Sequence, residues 1–107
     1  MMLKYEIKIE GKNNPLPVVT FEDERFELAA TFLLAEARNF GSAIVDALEE
    51  VTSGKKPTGS FAGNVFSLEI TPGMTTICDD ISGKECAIET AALQEVAEEY
   101  VAVYEKL

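Results

Sequence analysis

Apolar and polar side chains alternate along residues 3–9 and 66–70, and this pattern, with turn signals around four further short segments, predicts six β-strands. The first strand is predicted over residues 3–9 and the second over residues 16–21. Pro15 and Pro17 favour a sheet edge for the second strand, since proline lacks the backbone N–H that a central strand would use. A meander of four further strands, joined by short turns, is predicted over residues 60–62, 66–70, 75–78 and 86–88.

Helical periodicity in the remaining chain predicts three helices. The first covers residues 26–37, where apolar side chains surround most of the helix and indicate deep burial. The segment 38–41, Arg-Asn-Phe-Gly, is expected to end this helix. Ser42 is then a suitable N-cap for a second helix, and Gly54 is well placed to stop it.

The third helix is predicted over residues 91–106, with Thr90 as its N-cap and with an acidic outer face. The complete order is β-β-α-α-β-β-β-β-α, which indicates an α+β fold with three helices packed on a mainly antiparallel sheet. No repeat or linker divides the chain, and its 107 residues fit a single domain over 1–107.

The chain is strongly acidic, with 19 Asp and Glu against 9 Lys and Arg, a formal charge of −10 and a pI near 4.3. A negative field repels nucleic acid and anionic membranes, and it attracts basic protein surfaces, with association rates raised by ~10 to 10³-fold. The alternative is that the charge serves only solubility in a crowded cytosol. The sequence shows neither a signal peptide nor an apolar run long enough for a membrane span, so we expect a cytoplasmic protein.

Histidine is absent and cysteine occurs twice, which removes much catalytic and metal-binding chemistry. No imidazole is present to activate a nucleophile or to ligate zinc, and two thiols cannot complete a four-ligand site. We therefore expect no enzyme activity, no cofactor and no bound metal. Cys78 and Cys86 would lie opposite each other if the intervening turn centred on Ser82, and a cytosolic location favours free thiols.

Two acidic groups are candidate partner-binding surfaces, the first in a predicted turn and the second on the second helix: Asp79, Asp80 and Glu85, then Asp46, Glu49 and Glu50. The turn could also hold Ca²⁺ or Mg²⁺ loosely, although its spacing departs from that of calcium-binding loops. A simpler alternative is a solvated hairpin turn, because Asp, Ser and Gly favour turns for conformational reasons. The Glu-rich face of the last helix is interpreted as an ordinary water-facing side.

Part of the chain resembles a known group of proteins. The resemblance lies in ALEEV at 47–51, Gly54, SFAGNVFSLEI at 60–70, TICD at 76–79 and the closing acidic helix. In spacing and residue type these segments are similar to small acidic bacterial immunity proteins, which neutralise toxins of contact-dependent and related polymorphic toxin systems, often nucleases. The resemblance covers roughly residues 45–105 and implies a cognate toxin as partner. It transfers no catalytic residue, because the group shares no catalytic signature.

We therefore interpret the sequence as that of an immunity protein that neutralises a basic, nuclease-type toxin domain through an acidic surface. Nuclease clefts are basic because they bind phosphates, and an acidic inhibitor can occupy such a cleft. Two other functions stay open. One is a cytosolic interaction or regulatory module without a toxin, which gene context would distinguish. The other is a small-molecule-binding protein or carboxylate enzyme, which a ligand screen would reveal.

Overall fold

The structure, a computed structural model, describes residues 3–107, and Met1 and Met2 lie outside the described residues. A 3-10 turn (Glu24–Phe26) precedes the first helix. Neither helix within residues 3–107 combines the length and the apolar character that crossing a membrane requires. In chain order the elements are β1 (Tyr5–Glu10), β2 (Leu16–Phe21), α1 (Glu27–Thr52), β3 (Gly59–Ala62), β4 (Phe66–Ile70), β5 (Met74–Asp79), β6 (Glu85–Glu89) and α2 (Thr90–Glu105).

The strands form two separate antiparallel sheets instead of one. β1 and β2 pair as a hairpin, and the other four strands form a meander in the order β3–β4–β5–β6. The fold is α+β, but the predicted order with three helices is wrong, because the described chain has two helices in the order β-β-α-β-β-β-β-α. Pro17 pairs with Ile9 in the two-stranded sheet, where β2 is an edge strand.

The two helices predicted between residues 26 and 54 are a single helix, α1, of 26 residues. Phe40 has φ −128° and ψ 17°, so the helix bends at the predicted break without ending there. Gly41 does not stop the helix. Its lack of a side chain instead allows α1 to pack closely against α2. A Cβ on Gly41 would lie 3.0 Å from Cγ2 of Val101. Ser42 is consequently an exposed residue inside α1 and not an N-cap.

The helix ends follow the sequence signals in part. Gly54, with φ +86°, follows the C-cap of α1, as expected for a helix stop. Thr90 is not an N-cap, because it is the first residue of α2 and follows Glu89, the N-cap residue. The buried hydroxyl of Thr90 donates instead to the carbonyl of Thr71 at 2.6 Å, and it lies 2.9 Å from Oγ1 of Thr75. These bonds tie the β4–β5 turn to the start of α2.

The hydrophobic core lies between the two helices, the β1–β2 hairpin and one face of the four-stranded sheet. Phe32 and Phe40 of α1 both meet Phe61 of β3 edge-on, with ring centroids 6.2 and 5.7 Å apart. Tyr100 of α2 is fully buried, and its hydroxyl donates to the carbonyl of Pro17 at 2.6 Å. This hydrogen bond joins the β1–β2 hairpin to α2.

Candidate partner-binding site

The four-stranded sheet has a covered face and an open face. On the covered face, Leu68, Ile77 and Ile88 are at most 1% exposed beneath the helices. On the open face the alternate side chains point away from the helices and are exposed or half-buried. Most of them are small, so this face is flat. They form two cross-strand rows of four residues, Ser60–Glu69–Thr76–Ala87 and Ala62–Ser67–Cys78–Glu85, and one further pair, Met74–Glu89.

The β5–β6 turn projects from one end of the four-stranded sheet and is held by the carboxylate of Asp79. Oδ1 of Asp79 accepts hydrogen bonds from the backbone N–H groups of Ile81 at 2.9 Å and Ser82 at 3.2 Å. These donors hold the pKa of Asp79 below its usual value. Gly83, with φ +78°, takes the left-handed conformation that the turn requires. The turn therefore presents Ile81, which is 81% exposed, on a hydrogen-bonded backbone.

Asp80 is anchored to the β3–β4 turn through its backbone and to β4 through its side chain. Its N–H donates to the carbonyl of Val65 at 2.8 Å. Its Oδ1 accepts a hydrogen bond from Oγ of Ser67, also at 2.8 Å. Both bonds fix the carboxylate in place, so Asp80 needs no reordering to meet a cationic group.

The three carboxylates of the first acidic group, Asp79, Asp80 and Glu85, meet around the thiol of Cys78. Burial, and then the negative charge of these groups, raises the pKa of Cys78. Glu85 is the cross-strand partner of Cys78, and its side chain is exposed. The structure thus brings together the first group that the sequence singled out, and the thiol among them stays protonated at neutral pH.

Both cysteines are free, but the expectation that they lie opposite each other is wrong. Cys86 pairs with Ile77, on the covered face, and its Sγ lies 3.2 Å from the carbonyl of Arg25. Cys78 points to the open face. The turn is centred between Ile81 and Ser82, half a residue earlier than expected, so the register shifts by one and the two thiols lie on opposite faces.

The second acidic group lies on α1, which covers the other face of the sheet, and it does not join the first group. Asp46 is exposed, whereas Glu49 and Glu50 are half-buried. Glu50 forms an ion pair of 3.2 Å with Nζ of Lys56. The two groups therefore belong to different surfaces, and the second one is partly neutralised.

A buried carboxylate that the sequence analysis did not single out supports the first group from below. Glu36 of α1 is fully buried, and it accepts hydrogen bonds from the backbone N–H groups of Asn64 at 3.0 Å, Val65 at 2.8 Å and Phe66 at 2.7 Å. These bonds fix the β3–β4 turn, whose Val65 carbonyl in turn holds Asp80. Glu36 is a positioning residue for the acidic surface, and it does not itself reach solvent.

One signal for this role was present in the sequence. Glu36 stands three residues after Leu33 and seven after Ala29, on the apolar stripe of α1. A glutamate in that register is buried and needs donors. The donors come from a turn that lies far along the chain, so periodicity alone does not identify them.

A surface groove and a metal site are the two other kinds of binding site to consider. A groove of about 330 Å³ lies between the residues before β1, the 3-10 turn and the β6–α2 junction, and its apolar lining consists of Leu3, Phe26, Ile88 and Ala92. The groove is open to solvent. Of the polar residues that line it, Asp23 is half-buried and the others are exposed. Among residues 3–107 no three Cys, Asp or Glu side chains are placed to hold a metal ion.

The fold and this site describe a small α+β protein that offers a fixed, carboxylate-rich surface. No protein-family model matches the chain, and no solved structure matches it. The chain is 33% identical over 95 residues to a protein of Bacillus cereus named Immunity protein, and the match covers 85% of this chain and 80% of that relative. The chain therefore belongs to the family of that immunity protein.

Proposed function

We propose that this protein binds a cognate toxin domain through its acidic surface and thereby neutralises the toxin. The partner that this surface fits is a basic, nuclease-type domain. The protein acts by covering a surface of the toxin, and it carries out no reaction of its own.

The observation that carries this proposal is a pair of carboxylates, Asp80 and Glu85, at one end of the open face of a sheet whose strands carry no cations. None of the strands β3 to β6 contains Lys or Arg. Asp80 is fixed by Val65 and Ser67 before any partner arrives. A preorganised charge loses less conformational entropy on binding, so more of its attraction is available for affinity.

A nuclease cleft is rich in Lys and Arg because it must hold phosphates. Carboxylates can bind to the same Lys and Arg side chains in place of the phosphates and thereby exclude the substrate. The formal charge of −10 would also speed the encounter with a basic domain, and this effect weakens as salt screens the charges.

Co-expression with the product of the gene immediately upstream tests the proposal. We expect that product to arrest growth by itself, and we expect this protein to bind it and to restore growth. No complex and no protection in this assay would contradict the proposed function.

Charge reversal tests which acidic group is used. Glu85→Lys should slow association about tenfold at low salt, and the difference should shrink as salt is added. Asp46→Lys is the matched control, because it makes the same change of charge on the other surface. Slower association in Asp46→Lys, with an unchanged rate in Glu85→Lys, would assign binding to the second acidic group instead.

A further inference from the structure

Resting on the proposed function, we infer that the basic toxin domain docks across the whole open face of the β3–β6 sheet, with Ile81 as its apolar anchor. The first acidic group then forms one end of this surface. Glu69, in the middle of the face, and Glu89, at its far end, are further charge partners for the toxin.

The open face is an uncovered surface of suitable shape. Four strands of five or so residues span roughly 20 by 17 Å, from the usual spacing of strands and residues. That area is smaller than the ~800 Å² per partner of a standard interface, so a partner must also contact the neighbouring β5–β6 turn. The face and the turn together form one continuous surface.

Charge identifies the class of occupant. Residues 59–89 carry five carboxylates and one lysine, Lys84. The β1–β2 side of the molecule is different, since residues 3–21 carry three lysines and two glutamates. A second copy of this chain would bring the same negative face and be repelled, whereas a basic domain complements it.

Ile81 supplies an apolar contact, which the carboxylates alone do not provide. It is the most exposed large hydrophobic residue of the described chain, at 81%, and it stands among Asp79, Asp80 and Glu85. The hydrogen bonds that the N–H groups of Ile81 and Ser82 donate to the Asp79 carboxylate hold the backbone of Ile81, so little ordering is needed on binding. An exposed apolar side chain within a charged rim can be buried by a partner and so anchor the end of the interface at which it lies.

The Glu-rich face of α2 is the rival surface, and two of its carboxylates, those of Glu98 and Glu99, already accept hydrogen bonds. Glu98 accepts a hydrogen bond from Nε2 of Gln94 at 3.1 Å. Glu99 accepts a hydrogen bond from the hydroxyl of Tyr5. These bonds reduce the acceptor capacity that α2 could offer to Lys or Arg.

The test measures affinity for the upstream gene product with two open-face variants and two matched controls. Ile81→Ala should weaken the Kd about tenfold or more, and Glu69→Lys should lower the association rate about tenfold. Leu34→Ala, at a residue that is 43% exposed on α1, and Glu98→Lys on α2 should leave both quantities within about twofold. All four positions are exposed, so thermal melting should confirm that each variant folds.

Alkylation of the native thiols gives a second readout that needs no substitution. Cys78 lies on the open face and Cys86 on the covered face, so the docked toxin should slow the reaction of Cys78 with N-ethylmaleimide about tenfold or more. Unchanged labelling of Cys78 in the complex would overturn the inference. So would wild-type affinity in both open-face variants, even though the proposed function would then stand. If the wild-type protein does not bind the toxin at all, both the proposed function and this inference fail.

Discussion

The carboxylate of Glu36 occupies the space in which a side chain at Gly63 would lie. A Cβ built on Gly63 would be 2.5 Å from Cδ of Glu36, closer than non-bonded carbon atoms approach. The helix residue and the turn residue therefore depend on each other. The glutamate needs the backbone donors of the turn, and the turn needs a glycine to let the carboxylate in.

Substitution of Gly63 should destabilise the fold. Gly63→Ala forces the buried carboxylate away from its three backbone donors, and we expect a loss of about 1–3 kcal/mol in the free energy of unfolding. Gly73→Ala is the matched control, because nothing lies within 4 Å of the added Cβ at that turn. The control should change stability by less than about 0.5 kcal/mol. Equal effects of both substitutions in urea unfolding would contradict this account.

Replacement of the buried carboxylate by an amide should have a related effect. Glu36→Gln leaves one acceptor oxygen for three N–H donors and turns an NH₂ group toward at least one of them. We expect a loss of about 1–3 kcal/mol in urea unfolding. The folded fraction should also associate more slowly with the toxin, because Asp80 depends on Val65. An unchanged association rate would show that Glu36 acts on stability alone.

The hydroxyl of Tyr100 should stabilise the attachment of the β1–β2 hairpin. Tyr100→Phe leaves the carbonyl of Pro17 without this donor in a buried position, so we expect a loss of about 1–2 kcal/mol. Tyr104→Phe is the control. Tyr104 is half-buried, and no hydrogen bond of its hydroxyl is found within residues 3–107. Thermal unfolding of the two variants should differ by several degrees.

Tyr100 should also make the free energy of unfolding depend on pH in the alkaline range. Burial, with a smaller contribution from nearby Tyr104, raises the pKa of Tyr100 from 10.0 to about 12. Between these values the unfolded state loses its proton first, so stability is complete below pH 10 and falls as the pH rises toward 12. The difference in stability between wild type and Tyr100→Phe should shrink over this range. A difference that grows with pH would contradict the assigned burial.

The buried threonine pair should fix the start of α2. Thr90→Val removes the donor to the carbonyl of Thr71 and the partner of Thr75 while keeping the side-chain shape, and we expect a loss of about 1–3 kcal/mol. Thr76→Val, on the open face, should cost little, because a half-exposed strand position tolerates valine. If Thr90→Val unfolds at the same urea concentration as wild type, the pair is not stabilising.

Much of the fold follows from local pattern, as β4 illustrates. Phe66, Leu68 and Ile70 alternate with polar residues, and they are the buried face of that strand. The single helix α1 could not be predicted in this way. Gly41 has low helix propensity, and its place inside α1 is understood only from its close contact with Val101, which is distant in the chain.

In the candidate site, too, some features follow from local sequence and others depend on packing between distant segments. Asp79, Asp80 and Glu85 lie in or at the ends of one short turn, so their proximity is a local property that the sequence reveals. The contribution of Glu36 depends on packing between a helix and a distant turn. The pairing register of β5 and β6 is equally hard to predict from local pattern. It differs by one residue from the expected register, and this difference places Cys86 on the covered face.

The most direct test of the proposed function is titration calorimetry of this protein with the purified product of the gene immediately upstream, which we propose to be the toxin. We expect a one-to-one complex with a Kd in the nanomolar range, weakening as salt is added and weakened by Glu85→Lys. No binding heat at concentrations of tens of micromolar, under several salt conditions and at more than one temperature, would contradict the assignment of this chain as the inhibitor of that toxin.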